Sequence, residues 1–407
     1  SSVRNRLANP GPDHLAAIAG TATPTRAPLA QARHAPPAIY HDPAFLALER
    51  ERIFMRDWLL VARVEELAEP GDYLTLRILD EPIVIARDRN GTIHAFANVC
   101  LHRGVEVAPT GGDELGRRNA KQFSCPYHGW VYGLDGSLVG APLMSGHREF
   151  TDAALKDRPL KDRRLHPIQL GEWGGNLFIS LAPSPTPFSE FVAPFQAEFG
   201  FLHQERCRLA SKIVIKLDCN WKFAVENLLD IYHVRVLHTK TFGAHFAAEA
   251  KDVNLRAHGV VTYFYMSGAP APDGKSLFGR MPWIDERGDD FACTLRLPPN
   301  THLFGRCDSV RYLTIWPDGV DRCRIIAYHL FPVERFALPD FEARRKVYED
   351  YQIAVLEEDR TMVDSLQNAM RSRFYEPGPM ASLESTIHHV LNDYLDRIGV
   401  ARQADVR

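Results

Sequence analysis

Two stretches decide the fold: Cys100-Leu101-His102-Arg103-Gly104 and Cys125-Pro126-Tyr127-His128-Gly129-Trp130. Each places one thiolate and one imidazole on a tight loop. Together they supply two sulfurs and two ring nitrogens, which can sort onto different metals. A Rieske [2Fe–2S] centre requires that division, with two cysteines on one iron and two histidines on the other. A Cys2His2 zinc site has the same ligand count, but its paired ligands are separated by roughly two to four residues, whereas a single residue separates Cys100 from His102. Gly104 and Gly129 let backbone amides approach cluster sulfurs, where N–H donors raise the reduction potential. Pro126 fixes one turn dihedral and contributes no donor. The spacing favours iron–sulfur over zinc, with Cys100, His102, Cys125 and His128 as the ligands.

Outward from these loops, composition sets the frame. The chain has 407 residues, 45% apolar, with a net charge of −3. That length fits two or three domains with an ample core. A slightly acidic balance argues against a nucleic-acid partner. No apolar run approaches the roughly 20 residues of a membrane span, and the first residues hold no apolar signal core. Cys207, Cys219, Cys293, Cys307 and Cys323 have no recurring spacing and read as reduced core thiols, which points to the cytoplasm.

Residues 1–38, rich in Ala and Pro, read as a mostly irregular arm that packs on a neighbour. Asp42 caps a first helix over 42–54 with Pro43 in its first turn. From Trp58 to about Leu181, short alternating runs (Tyr73–Ile78, Pro82–Ala86, His94–Val99, Gly129–Tyr132, Asn176–Ser180) between turn residues suggest a small β-sandwich that carries both Cys/His loops. The stretch Thr110–Asn119 reads as a solvent-exposed loop. Pro183-Ser184-Pro185-Thr186-Pro187 is a linker signal. Beyond it, strands are expected near Lys212–Leu217, Val260–Met266, Ala292–Leu297, Ser309–Trp316 and Arg322–Phe331. Helices are expected near Trp221–Leu237, Phe341–Arg371 and Leu383–Ile398. The fold class is α+β. Domain limits are set at 1–56 (arm and helix, part of the catalytic domain), 57–181 (iron–sulfur domain) and 182–407 (catalytic domain).

A second metal site is written in Glu226-Asn227-Leu228-Leu229-Asp230-Ile231-Tyr232-His233-Val234-Arg235-Val236-Leu237-His238. Two histidines and a carboxylate form a facial triad for non-heme Fe(II) with positions open to O2. Five residues separate His233 from His238, a rotation of about 140° on a regular helix. Both can face one metal only if the helix ends or distorts between them, so an irregular turn is expected near Val236–Leu237. Asp230, one turn before His233, can accept its non-ligating N–H. Candidates for the carboxylate ligand cluster at Glu357, Glu358, Asp359 and Asp364. Phe242 and Phe246, just beyond His238, would wall a pocket. Arg306 could clamp a substrate carboxylate, and Asn227 could hydrogen-bond substrate or a ligand.

With both motifs in one chain, the sequence resembles the α subunits of Rieske non-heme iron ring-hydroxylating oxygenases, also in Asn98-Val99-Cys100, Tyr132-Gly133-Leu134-Asp135-Gly136 and His388-His389. Its gap of 22 residues between His102 and Cys125 is longer than the family usually has. The resemblance implies a Rieske-type all-β domain inserted into a helix-grip (Bet v 1-like, START-like) domain with an antiparallel sheet and long helices. It implies a head-to-tail homotrimer, with or without a β subunit. It selects Asp359 as third ligand, since the family's ligating aspartate precedes a glutamine, here Gln367, by eight positions. Glu357 and Glu358 then read as exposed helix charges, and Asp364 as at most a supporting group. It makes Asp230 the bridge from His233 to a cluster histidine, His128 or His102, of the adjacent subunit. It also implies electrons from NAD(P)H through a separate reductase, with or without a ferredoxin, in keeping with the lack of a dinucleotide fingerprint.

The order Glu-Asn-x-x-Asp-x-Tyr-His looks more like aromatic-acid oxygenases than the quaternary-amine branch, where Glu is frequent at the bridging position. The expected substrate is therefore a small aromatic compound bearing a carboxylate, hydroxylated once or twice. The alternatives are oxidative N- or O-demethylation of a quaternary amine or methoxy-aromatic, an electron-transfer Rieske protein without oxygenase activity, and a zinc-dependent binding module.

Overall fold

The computed structural model describes residues 12–108, 118–144, 162–245, 251–284 and 287–401. The chain divides into two compact units, Trp58–Phe191 and Ser1–Asp57 with Val192–Arg407.

The Trp58–Phe191 unit is all-β. Trp58–Arg63, Asn176–Ser180, Pro167–Trp173, Ile93–Ala97, Glu81–Arg87, Asp72–Ile78 and Arg118–Asn119 lie side by side in that order in an antiparallel sheet. Three shorter strands, Phe123–Ser124, Val131–Tyr132 and Leu138–Gly140, form a second sheet. Their shared core holds Val84, Phe96, Phe123, Trp130, Tyr132 and Leu138 together with Cys100 and Cys125. Burying the two cysteines among these side chains fixes both loops to the sandwich. The expectation of a loop over Thr110–Asn119 needs one correction: Arg118–Asn119 is a strand that pairs with Asp72 and Tyr73. Residues 110–117 lie outside the described residues.

The other unit is built on a seven-stranded antiparallel sheet. Its strand order is Cys207–Leu217, Cys323–Pro332, Val310–Pro317, Thr301–Arg306, Phe291–Leu297, Val261–Met266 and Lys251–Leu255. Lys251–Leu255 and Thr301–Arg306 carry weaker alternation and were not among the strands expected. The helix Phe341–Ala369 packs on this sheet through Tyr348, Gln352, Leu356, Asp359, Val363 and Gln367, one buried residue every three or four positions. Asp359 thus sits in the buried stripe, while Glu357 points away. Asp42 accepts from the Ala44 N–H at 2.9 Å and caps Pro43–Glu49, which continues as one π turn to Phe54. Pro12–Ala22 is helical, against the mostly irregular arm expected for residues 1–38. Its continuation is anchored within the chain: Arg26 pairs with Asp396 at 2.8 Å and donates to the Val400 carbonyl. Among the described residues, no helix is long and apolar enough to cross a membrane.

Candidate active site and its iron–sulfur partner centre

The two Cys/His loops are constructed alike. Cys100 N–H donates to the Val105 carbonyl and Cys125 N–H to the Trp130 carbonyl, both at 2.8 Å. Gly104 and Gly129 then return N–H bonds to the cysteine carbonyls at 2.9 and 3.0 Å. Both glycines turn in the left-handed region, φ +76° and +71°, which explains why each motif carries glycine there. Asn98 braces the first loop, its amide oxygen accepting from the Val107 and Ala108 N–H groups at 2.9 Å. Tyr132 places its hydroxyl 3.3 Å from Cys100 Sγ while accepting from Leu101 N–H.

The sulfurs and the imidazoles face different surroundings. Cys100 and Cys125 are each 3% exposed, whereas His102 and His128 are on the surface. The Nδ1 atoms of the two histidines lie 3.1 Å apart. Desolvation, with the neighbouring His102 and Arg103, holds His128 below the usual imidazole value, so it is neutral at pH 7, the form that ligates a metal. Two buried thiols and two outward nitrogens fit the division of ligands in a Rieske cluster.

In the other unit, the iron-site helix breaks earlier than expected. Asn220 caps Trp221–Leu229 by accepting from Lys222 N–H at 3.0 Å. The helix stops at Asp230 because its Oδ1 takes the Tyr232 N–H at 2.7 Å, a side-chain turn that competes with the helical bond. Val236–Leu237, near which an irregular turn was expected, lies instead in one regular helical turn, Val234–Leu237, with His233 and His238 as its flanking residues. His233 still has helical angles, φ −75° and ψ −23°, whereas His238, at φ −91° and ψ 28°, has left them; the two Nε2 atoms stand 3.1 Å apart despite the five-residue spacing. Gly243 completes the segment: its N–H reaches the His238 carbonyl at 3.0 Å, and a Cβ there would stand 2.6 Å from the Val234 carbonyl oxygen.

Asp359 Oδ1 stands 3.0 Å from His238 Nε2 and 3.4 Å from His233 Nε2. This oxygen is buried and has no aligned hydrogen-bond donor among the described residues. A buried acceptor left in that state costs about 1–3 kcal/mol, more when charged, so the cluster calls for an electrophile at its centre. Neighbouring positions of an octahedron with bonds of about 2.1 Å are about 3.0 Å apart, close to the edges of this triangle. The donor set of two imidazoles and one carboxylate fits Fe(II).

The surroundings tune these groups. His233 Nδ1 lies 3.1 Å from Asp230 Oδ2, a charge-pair distance without hydrogen-bond alignment. Burial opposes protonation of His233, but Asp230 and Asp359 outweigh it and raise its pKa to about 9. Burial likewise works against ionised Asp359, yet the two histidines hold its carboxyl below the usual carboxylate range. His238 Nδ1 bonds to Glu358 Oε2 at 2.6 Å, and Thr241 donates to the same oxygen at 2.8 Å. Glu358 is therefore not the exposed helix charge expected from sequence. It orients a ligand-type histidine, and its only sequence signal was its position beside Asp359. Asp364 accepts from the Asp218 N–H, apart from the triad.

The triad opens on a pocket of about 760 Å³, counted with the space open to solvent. Asn227, Asp230, Phe242 and Arg306 line it, as expected for site residues, and Phe242 lies 4.6 Å, ring to ring, from His238. Phe246 lies outside the described residues. Tyr263, Phe304, Arg311 and Tyr351 also line the pocket and were not anticipated.

Comparison with known proteins agrees with this construction. Residues 57–151 match the Rieske [2Fe-2S] domain model and residues 204–399 the ring hydroxylating alpha subunit catalytic domain model. The chain is 28% identical to the glycine betaine monooxygenase oxygenase subunit of Chromohalobacter salexigens, over 84% of this chain and 81% of the relative. It is equally 28% identical to the chloroplastic choline monooxygenase of Arabidopsis thaliana, over 89% of this chain and 82% of the relative. Among solved structures, a quaternary ammonium Rieske monooxygenase superposes with a TM-score of 0.71 at 22% identity, covering 91% of this chain and 95% of that one. Naphthalene 1,2-dioxygenase from Rhodococcus sp. reaches a TM-score of 0.70 at 20% identity, covering 91% and 95%. The two folds fit equally well, so backbone likeness does not select a substrate. A [2Fe–2S] domain, a catalytic iron domain and oxygenase relatives along nearly the whole chain have one meaning: it belongs to the α subunits of the Rieske-type ring-hydroxylating oxygenases.

Proposed function

We propose that this terminal oxygenase oxidises an N-methylated, quaternary-type amine, with His233, His238 and Asp359 holding the catalytic iron and Cys100, His102, Cys125 and His128 holding the cluster. One observation carries the ligand assignment: the orphaned Asp359 oxygen and the two Nε2 atoms converge beside a pocket. The curated relatives carry the substrate class, since those named above act on glycine betaine and choline. This reverses the preference for an aromatic substrate and takes up the demethylation alternative. When bound, the iron supplies reductive activation of O2 with electrons from NAD(P)H through a reductase.

The chain's own residues position the reaction. Glu358 and Asp230 fix the ligand imidazoles, while Tyr263, Phe304 and Tyr351 offer aromatic surface that can hold a quaternary ammonium and exclude water. Hydroxylation of an N-methyl group consumes O2, two electrons and two protons and gives water and a carbinolamine. The latter releases formaldehyde and the amine shortened by one methyl. Asp230 serves as the electron bridge to His128 or His102 of a neighbouring subunit in a trimer, the protein acting in the cytoplasm.

A second reading, hydroxylation of an aromatic carboxylate, is favoured by Asp rather than Glu at 230 and by the pocket arginines. The test is turnover of both substrate classes with a surrogate reductase under labelled O2. Formaldehyde with a demethylated amine supports the proposal; a hydroxylated arene from benzoate-type substrates, with no amine consumed, refutes it.

A further inference from the structure

Two guanidinium groups enter the pocket from the sheet. Phe304 stands directly opposite Arg311 in the antiparallel pair Thr301–Arg306 and Val310–Pro317. Arg306 is two residues beyond Phe304, so both arginines project from the same face of the sheet. Both line the cavity that Asp359 and the two histidines border. Arg306 is only 8% exposed and spends one N–H on the Gly268 carbonyl at 3.3 Å, and its guanidinium lies 5.4 Å from the Tyr265 ring. Arg311 lies 5.1 Å from the Phe304 ring. The Nε of each is buried without a hydrogen-bond partner among the described residues. Among the described residues, no carboxylate pairs with either guanidinium.

Like charges facing one pocket, each with a buried Nε–H left unused, call for an anion. The proximity is felt by Arg311, whose pKa burial and then the charge of Arg306 press down to about 9. A planar carboxylate matches the forked donors of a guanidinium in a way that a point anion does not. A substrate that is cationic only would meet unbalanced repulsion here. We infer that Arg306 and Arg311 together receive a substrate carboxylate, which selects a zwitterionic N-methylated amino acid over a carboxylate-free amine. The amine half of this statement rests on the proposed function; the carboxylate half stands on the arginines alone.

Titration calorimetry of the holoenzyme with glycine betaine, choline and benzoate separates the two. Glycine betaine is expected to bind about tenfold or more tightly than choline. Arg306→Gln and Arg311→Gln should each weaken it by about tenfold or more and tighten choline, whose repulsion they relieve, and Arg311→Lys should restore part of the loss. Cluster absorbance and melting temperature, unchanged, certify that the variants are folded. Choline binding as tightly as glycine betaine, with both arginine variants indifferent, overturns the inference and leaves the amine reading standing. Benzoate binding that depends on the arginines, with no affinity for glycine betaine, upholds the receptor and removes the amine reading. Failure of every carboxylated probe to bind at millimolar concentration also overturns the inference.

Discussion

The cluster loops and the iron pocket hold their ligands by opposite strategies. Each cluster loop is closed by its own backbone, Cys100 to Val105 and Cys125 to Trp130, and leaves its histidines on the surface. The iron pocket instead gathers His233 and His238 from a broken helix, Asp359 and Glu358 from a helix 120 residues onward, and arginines from two strands. A self-contained loop should tolerate damage elsewhere, whereas a pocket assembled from distant segments should lose function by degrees as supports are removed.

The sharpest break between the two regions comes from the ligands themselves. His233→Ala or Asp359→Ala should empty the catalytic iron site and lower turnover by about a thousandfold or more. The visible spectrum of the cluster should not change; a bleached spectrum would mean that the two regions are not independent. Next in size, Asp230→Asn should keep both metals and lower turnover by about a hundredfold. Normal single-turnover rates in that variant would refute the bridge. A smaller effect is expected from Glu358→Gln, which frees His238 without removing it. Iron affinity, measured by chelator competition, should fall about 10–100-fold.

The most gradual effect is in pH. In the metal-free protein His233 is protonated below about 9, because Asp230 and Asp359 outweigh burial. The metal must displace that proton, so Fe(II) affinity should fall by about tenfold per pH unit as pH drops below 9 and level off above it. Asp230→Asn removes one of the stabilising charges and should move the break to lower pH. A flat profile from pH 7 to pH 9 would contradict this.

The same contrast explains what the sequence discloses. Cys100-x-His102 and Cys125-Pro-Tyr-His128 are legible because ligand, glycine and turn lie within a few residues of each other. His233 and His238 are legible as residues, but the turn between them was misplaced. The break depends on Asp230 trading a helical bond for the Tyr232 N–H, and local spacing shows no preference for that. Asp359 could be found only through the resemblance, eight positions before Gln367, and the fold places it in the buried stripe of Tyr348, Leu356 and Val363. Glu358 and Arg311 could not, because their partners lie far off in sequence: His238 for Glu358, and for Arg311 the cavity itself, which exists only once the sheet register is set. The substrate class is hard to read for a related reason. A single Asp at 230 speaks to the bridge, while the substrate is met by side chains from several strands and helices.

Two separable iron centres on one chain would leave a stoichiometric signature. Iron and acid-labile sulfide per chain, measured in the wild type and in His233→Ala, tests it most directly. About three irons and two sulfides are expected in the wild type, and about two of each in the variant. Two irons in both proteins, or loss of sulfide together with the third iron, would contradict it.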